Sequence, residues 1–290
     1  KHPAFTYILL GFAFAFKLQT AFILPFILFA FIIRKRDSVF YMLLTPLVMI
    51  VLSLPAVLMG RPVNDIFEIY VKQTGEYKIL SLNYPNFVTF INSHTNNNYN
   101  NSYLQYDHFA GWLIAITAII IVCGLAFFLK NKKFASEKNY IYIAFLSIYT
   151  CVIFLPSMHE RYGFAAEILA IIIAMTVVKS RLLAIALNAV ILIEYGNYLG
   201  GYYEAVNIQM LSAINIIIYI LYIIILVKEM ENNEEMTLEA SEINNTSVII
   251  ENQNEIADND KDNENQDEAT NDDVIIAENE INYDNNNTSV

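Results

Sequence analysis

The feature that most constrains this chain is a succession of apolar blocks, rich in Ile, Leu, Phe and Ala and divided by short polar loops. Each block runs to roughly 13–22 residues, and about 20 apolar residues cross a hydrocarbon layer of about 30 Å. A soluble protein can bury one such helix but not eight in succession. The candidate spans are 4–16, 21–33, 39–59, 110–129, 140–155, 164–178, 182–198 and 210–227. Hydrophobic residues make up 56% of the chain, above the 45–50% or so of soluble domains. The fold class expected is an all-α integral membrane domain over residues 1–228. It has about eight transmembrane helices, some short, and one long extracytoplasmic loop over 60–109.

Charge sets the topology. The net charge of −12 divides unevenly, because residues 229–290 hold nineteen Asp and Glu against one basic residue, Lys261. What precedes them is mildly basic. Basic loops at Arg34, Lys35 and Arg36, at Lys130, Lys132 and Lys133, and at Lys179 and Arg181 alternate with loops poorer in charge. Lys228 closes the last span. The positive-inside rule assigns these loops to the cytoplasm, leaving 60–109 and 156–163 outside. Read as one helix, residues 4–33 would be too long to cross untilted and would place Lys17 near the bilayer centre, at a cost of about 2.5–3.5 kcal/mol or more. A hairpin of two short helices meeting at 17–20 relieves that charge.

Residues 229–290 are rich in Asn, Asp and Glu with one aromatic residue, Tyr283. Such a segment buries too little apolar surface to offset its ordering entropy, which predicts a disordered acidic tail on the cytoplasmic side. Its loose repeats, NNTSV at 244–248 and 286–290 and VII at 248–250 and 274–276, read as low-complexity drift or as docking motifs. Cys123 and Cys151 both fall inside apolar blocks, which argues against a disulfide framework. The chain opens on Lys1 and enters an apolar block at once, with no signal-peptide pattern. It reads as the C-terminal part of a longer membrane protein.

Several chemistries lack their signatures. No Gly-rich phosphate loop, Gly-x-Ser-x-Gly or Cys/His metal spacing is present. His159–Glu160 opens like a zincin motif, but Gly163 stands where the second His belongs, and His2, His94 and His108 show no ligand spacing. Three polar features remain. Residues 156–164, PSMHERYGF, set His159, Glu160 and Arg161 side by side at the outer end of one span. They form either an interfacial turn anchored by Arg161 and Tyr162 or a site, since Arg binds phosphate bidentately, His moves a proton and Glu orients either. Lys17-Leu18-Gln19-Thr20 interrupts apolar sequence, as a snorkelling lysine or as the partner of an anionic headgroup. In the outer loop, residues 66–74 have helical apolar spacing suited to the interface. Asn83, Tyr84 and Asn86 then hydrogen-bond sugar hydroxyls or form an Asx-type turn before Pro85. The Asn-rich 96–101 reads as a loop tip.

Taken together and in this order, these features resemble the GT-C superfamily of polytopic glycosyltransferases. The resemblance is to prokaryotic mannosyltransferase-like proteins related to the second mannosyltransferase of GPI-anchor synthesis. It rests on Lys17-Leu18-Gln19 before Pro25, on Leu82-Asn83-Tyr84-Pro85-Asn86, and above all on Pro156–Tyr162 as Pro-x-Met-His-Glu-Arg-Tyr. It covers about residues 1–227. What the resemblance implies is inverting transfer of a hexose, mannose-like, from a polyprenyl-phosphate carrier to an extracytoplasmic glycan, lipid or protein acceptor at the plasma membrane. The partners would then be the lipid-linked sugar, the acceptor and the bilayer, with no nucleic acid, no cofactor and no metal. The family's catalytic Asp would lie upstream of Lys1, so the segment alone would lack its base. Arg161 and Lys17 would offset charge on the departing phosphate, His159 would protonate or hydrogen-bond it, and Glu160 would orient the ring. Lys17 itself, Gln19, Asn83, Tyr84, Asn86 and Tyr162 would bind substrate. The rival class is a transporter, flippase or polymerase of lipid-linked glycans, and a third is a membrane scaffold for the tail.

Overall fold

The computed structural model describes residues 2–34, 38–75, 78–91, 106–131, 134, 136–200 and 206–233, and among them the chain is almost wholly helical. α1 (Pro3–Phe16) stops at Lys17, whose backbone is extended, and a 3-10 stretch, Leu18–Ile23, leads into α2 (Leu24–Arg34). Ser38 caps a second 3-10 turn, Val39–Leu43, accepting from the Phe40 N–H, and α3 (Leu44–Leu58) follows. Then come α4 (Val63–Gly75), β1 (Ser81–Leu82), α5 (Phe87–Ile91), α6 (Tyr106–Lys130) and α7 (Tyr140–Phe154). The connection after α7 holds β2 (Met158–His159) and a 3-10 turn, Glu160–Gly163. α8 (Phe164–Thr176), α9 (Arg181–Gly200) and α10 (Ile208–Asn233) complete the order.

Among the described residues, four stretches are long and apolar enough to cross a membrane: Val39–Leu58, Tyr106–Lys130, Val178–Gly200 and Ile208–Asn233. The other four expected spans are shorter helices, α1, α2, α7 and α8, of 14, 11, 15 and 13 residues. An apolar block is made by burial in protein as well as by contact with lipid, and α7 is the clear case. Its residues Tyr142 to Ile153 are all buried, on every side of the helix, and a helix apolar all round belongs in a core. By contrast Trp112, Ile119 and Val122 of α6 and Leu182, Ile185 and Leu192 of α9 stand exposed. So broad an apolar surface suits a bilayer rather than water.

The core forms where α2, α6, α8 and the 3-10 stretch after Lys17 pack on α7. Rings interlock there: Phe145 and Tyr222 lie 4.7 Å apart, and Tyr149 meets Tyr219 edge-on at 5.3 Å. Several buried polar groups are paired within it. The Tyr149 hydroxyl donates to Asn215 Oδ1 at 2.6 Å, and the Thr150 and Tyr219 hydroxyls share a bond of 2.8 Å. α1 does not fold back on α2 as a packed hairpin. It packs on α3 instead, because Gly11 lets the helices approach until a Cβ would stand 2.7 Å from the Thr45 carbonyl oxygen and the Val48 Cβ. The Thr45 hydroxyl donates to the Tyr7 carbonyl across that contact.

The expected tail begins later than 229. α10 runs on to Asn233 because Met230 is buried and the Asn233 amide donates to Asn139 at 3.1 Å. The chain divides into two units, Lys1–Glu234 and Glu235–Val290. The disorder and repeats expected of the second, the loop tip at 96–101, His94, and the basic residues Lys35, Arg36, Lys132 and Lys133 lie outside the described residues.

Candidate functional site

Two segments far apart in sequence are bound together at one end of the bundle. β1 and β2 pair in parallel, Ser81 with Met158 and Leu82 with His159, and a bridge joins Asn83 to His159. The Ser157 N–H donates to Leu80, the Tyr84 N–H to Met158, and the Ser157 hydroxyl to Ile79 at 2.6 Å. Both segments turn through left-handed residues, Asn83 with φ 64° and Ser157 with φ 59°. Asparagine tolerates that conformation better than most residues. At Ser157 it stores strain that the surrounding bonds must hold.

The Asn83–Asn86 turn is anchored from below. Asn86 is buried, and its amide donates to the Val152 and Leu155 carbonyls while its Oδ1 accepts from the Thr89 N–H. The Thr89 hydroxyl donates to the Tyr84 carbonyl at 2.7 Å, and Asn215 of α10 donates to the Pro85 carbonyl at 2.7 Å. Tyr84 is fully buried. Its ring lies so close to Gly163 that a Cβ there would stand 2.7 Å from the hydroxyl oxygen. Burial first, and the nearby Glu167 carboxylate second, push the Tyr84 hydroxyl above its ordinary value, so it stays protonated. Of the six residues expected to bind substrate, Tyr84 and Asn86 thus spend their side chains inside the protein, the second entirely on holding the turn.

The other four, Lys17, Gln19, Asn83 and Tyr162, gather with His159 at the connection. Lys17 Nζ lies 5.8 Å from the centre of the Tyr162 ring, within the range of cation–π attraction. The Tyr162 and His159 rings are 5.1 Å apart, edge to face. Gln19 and Tyr162 line a cavity of about 330 Å³ with Leu18, Pro156 and Met158. His159 Nδ1 is 3.8 Å from Glu160 Oε2, both side chains being mostly buried. Burial lowers the His159 pKa from its ordinary value. Glu160 pulls it back up, and Arg161 pushes it down again. Arg161 itself is exposed on the same 3-10 turn. The arrangement can offer two cations and a neutral imidazole to an anion held against an apolar wall. Among the described residues no three His, Cys, Asp or Glu side chains are grouped as a metal cage.

Three buried residues behind the connection escape a reading of the loops alone. Asn215 links the core to Pro85. Glu167 sits buried in α8, its Oε1 without a hydrogen-bond partner among the described residues, and Glu194 sits buried in α9, accepting from Asn197 at 3.5 Å. The signal was there in the sequence, a carboxylate or amide inside an apolar block, which marks function or an internal partner. Comparison of the chain with protein-family models, with curated proteins and with solved structures finds no match.

Proposed function

We propose that this chain belongs to a membrane glycosyltransferase that transfers a hexose from a polyprenyl-phosphate carrier to an extracytoplasmic acceptor. The observation that carries the reading is the convergence of its three polar sequence features. Lys17 and Gln19, the Asn83–Asn86 turn and the 156–162 connection meet at one end of the bundle, beside one apolar cavity. In this reading all eight apolar blocks cross or enter the plasma membrane, that end faces outward, and residues 234–290 lie in the cytoplasm. The acceptor hydroxyl attacks the anomeric carbon, and an acidic residue outside this chain takes its proton. The C–O bond to the carrier phosphate breaks, and Arg161 and Lys17 stabilise the charge left on the phosphate. His159, neutral near pH 7, donates its one N–H to a phosphate oxygen, with Glu160 beside the ring.

The test is sugar transfer from a radiolabelled polyprenyl-phosphate hexose by membranes carrying the protein of which this chain is part. Arg161→Ala and His159→Ala are each expected to lower turnover by about 10²-fold or more at unchanged protein level. Wild-type rates in both variants, or no transfer from any carrier, would overturn the assignment. A second reading, transport of a lipid-linked glycan, is favoured by the burial of Glu167 and Glu194 within the helices, since buried intramembrane carboxylates serve proton-coupled movement. Under the transferase reading Glu194→Gln keeps transfer. Under the transport reading it abolishes movement across the membrane.

A further inference from the structure

A second cavity of about 290 Å³ lies deeper in the bundle, walled by α6, α7, α10 and the start of α2. Its lining is almost wholly apolar, with Ile121, Gly124 and Phe128 on one side and Ile143, Leu146 and Tyr219 on others. It lies along the same helices as the cavity at Tyr162, separate from it. α6 gives Ile114 to the first cavity and Gly124 to the second, about 15 Å further on at the helical rise. Leu155, just past the end of α7, lines the first, and Leu146 and Ile143 of α7 line the second. Ser147 of the deeper cavity donates at 2.8 Å to the carbonyl of Phe22, which lines the shallower one. The far cavity is uncharged, whereas Lys17 and, on the adjoining turn, Arg161 stand beside the near one.

We infer that the deeper cavity at Gly124 is a binding site for the distal part of a long-chain lipid phosphate, and so sets the chain length the site accepts. Charge complementarity selects this occupant, with the phosphate at the cationic mouth and the chain running inward between α6 and α7. A short chain fills the first cavity alone, and only a long one reaches the second. The inference rests on the proposed function and adds the basis of its chain-length preference. Gly124 supplies the space, because a Cβ built on it meets nothing within 4 Å. A side chain there starts in open space at the cavity wall.

The experiment compares Kd for undecaprenyl phosphate and geranyl phosphate in nanodiscs by native mass spectrometry, using the whole chain. Gly124→Phe is expected to weaken undecaprenyl phosphate by about tenfold or more, through lost apolar burial, and to leave geranyl phosphate unchanged. Gly111→Phe is the control for the helix, since Gly111 also has open space and lines neither cavity. It is expected to change neither Kd. Undecaprenyl phosphate bound as in wild type by Gly124→Phe would overturn the inference and leave the transfer reading standing. Equal weakening by Gly111→Phe would overturn it too, as would a phospholipid found in the cavity in place of the polyprenyl phosphate. Failure of the wild type to bind either chain would overturn both this inference and the proposed donor.

Discussion

At the scale of single residues the site is defined by what it spares. Gly163 exists because Tyr84 occupies the space a side chain would need. Gly163→Val should push that buried ring from its seat, at about 1–3 kcal/mol for the overpacking. Thermal unfolding of the purified chain reads the loss, and an unshifted midpoint would show that the ring gives way freely. His159 makes a prediction about pH. Its folded pKa lies below the ordinary value, so the unfolded chain takes up a proton first as pH falls. The stability of the neutral buried ring is full above about pH 6.5 and is lost as pH drops through the folded value. The midpoint should therefore fall between about pH 7 and pH 5 in wild type, and fall less in His159→Gln. Identical profiles for the two proteins would remove His159 as the source.

Among the elements, the 79–89 segment is held by its own Asn86 and Thr89 and by Asn215 of α10 as well as by its short strand. Asn215→Leu should free the Pro85 carbonyl and leave the Tyr149 hydroxyl only the backbone carbonyl of residue 215, at 3.3 Å. Each buried group left unpaired costs about 1–3 kcal/mol. The expected signature is faster hydrogen exchange over 80–90, with α3 unaffected because it packs on α1. Uniform acceleration would place the effect in global stability instead. The α1–α3 pair rests in the same way on Gly11, where Gly11→Leu should separate the two helices and leave the α7 core intact. Cysteine pairs introduced across Tyr7 and Thr45 would cross-link in the parent and fail to in Gly11→Leu.

For the molecule as a whole, the exposed apolar surface makes a bilayer its solvent. Cys123 is exposed on α6 while Cys151 is buried in the core. A charged maleimide, which needs a thiolate in water, should modify neither thiol in intact membranes and both in the denatured chain. Rapid labelling of Cys123 in membranes would mean that α6 faces water and would defeat the reading of Tyr106–Lys130 as a membrane span.

Sequence by itself determined the helical, membrane-like character of the chain, because apolar blocks and their lengths are local properties. It also located the break at Lys17, where an extended backbone does separate two helices, and a helix at 66–74 within α4. It marked the polar features as well, since charge set against an apolar background needs no partner to be noticed. Only the tertiary structure decided which apolar blocks face lipid and which are core, as α7 shows, for burial by protein and by hydrocarbon select the same side chains. Only it showed that Asn83 and His159 are bridged neighbours while Asn86 faces inward to carbonyls of α7 and its end. Those facts depend on pairings between residues some 70 positions apart, and no local pattern of hydropathy or charge encodes which distant partner a hydrogen bond will find.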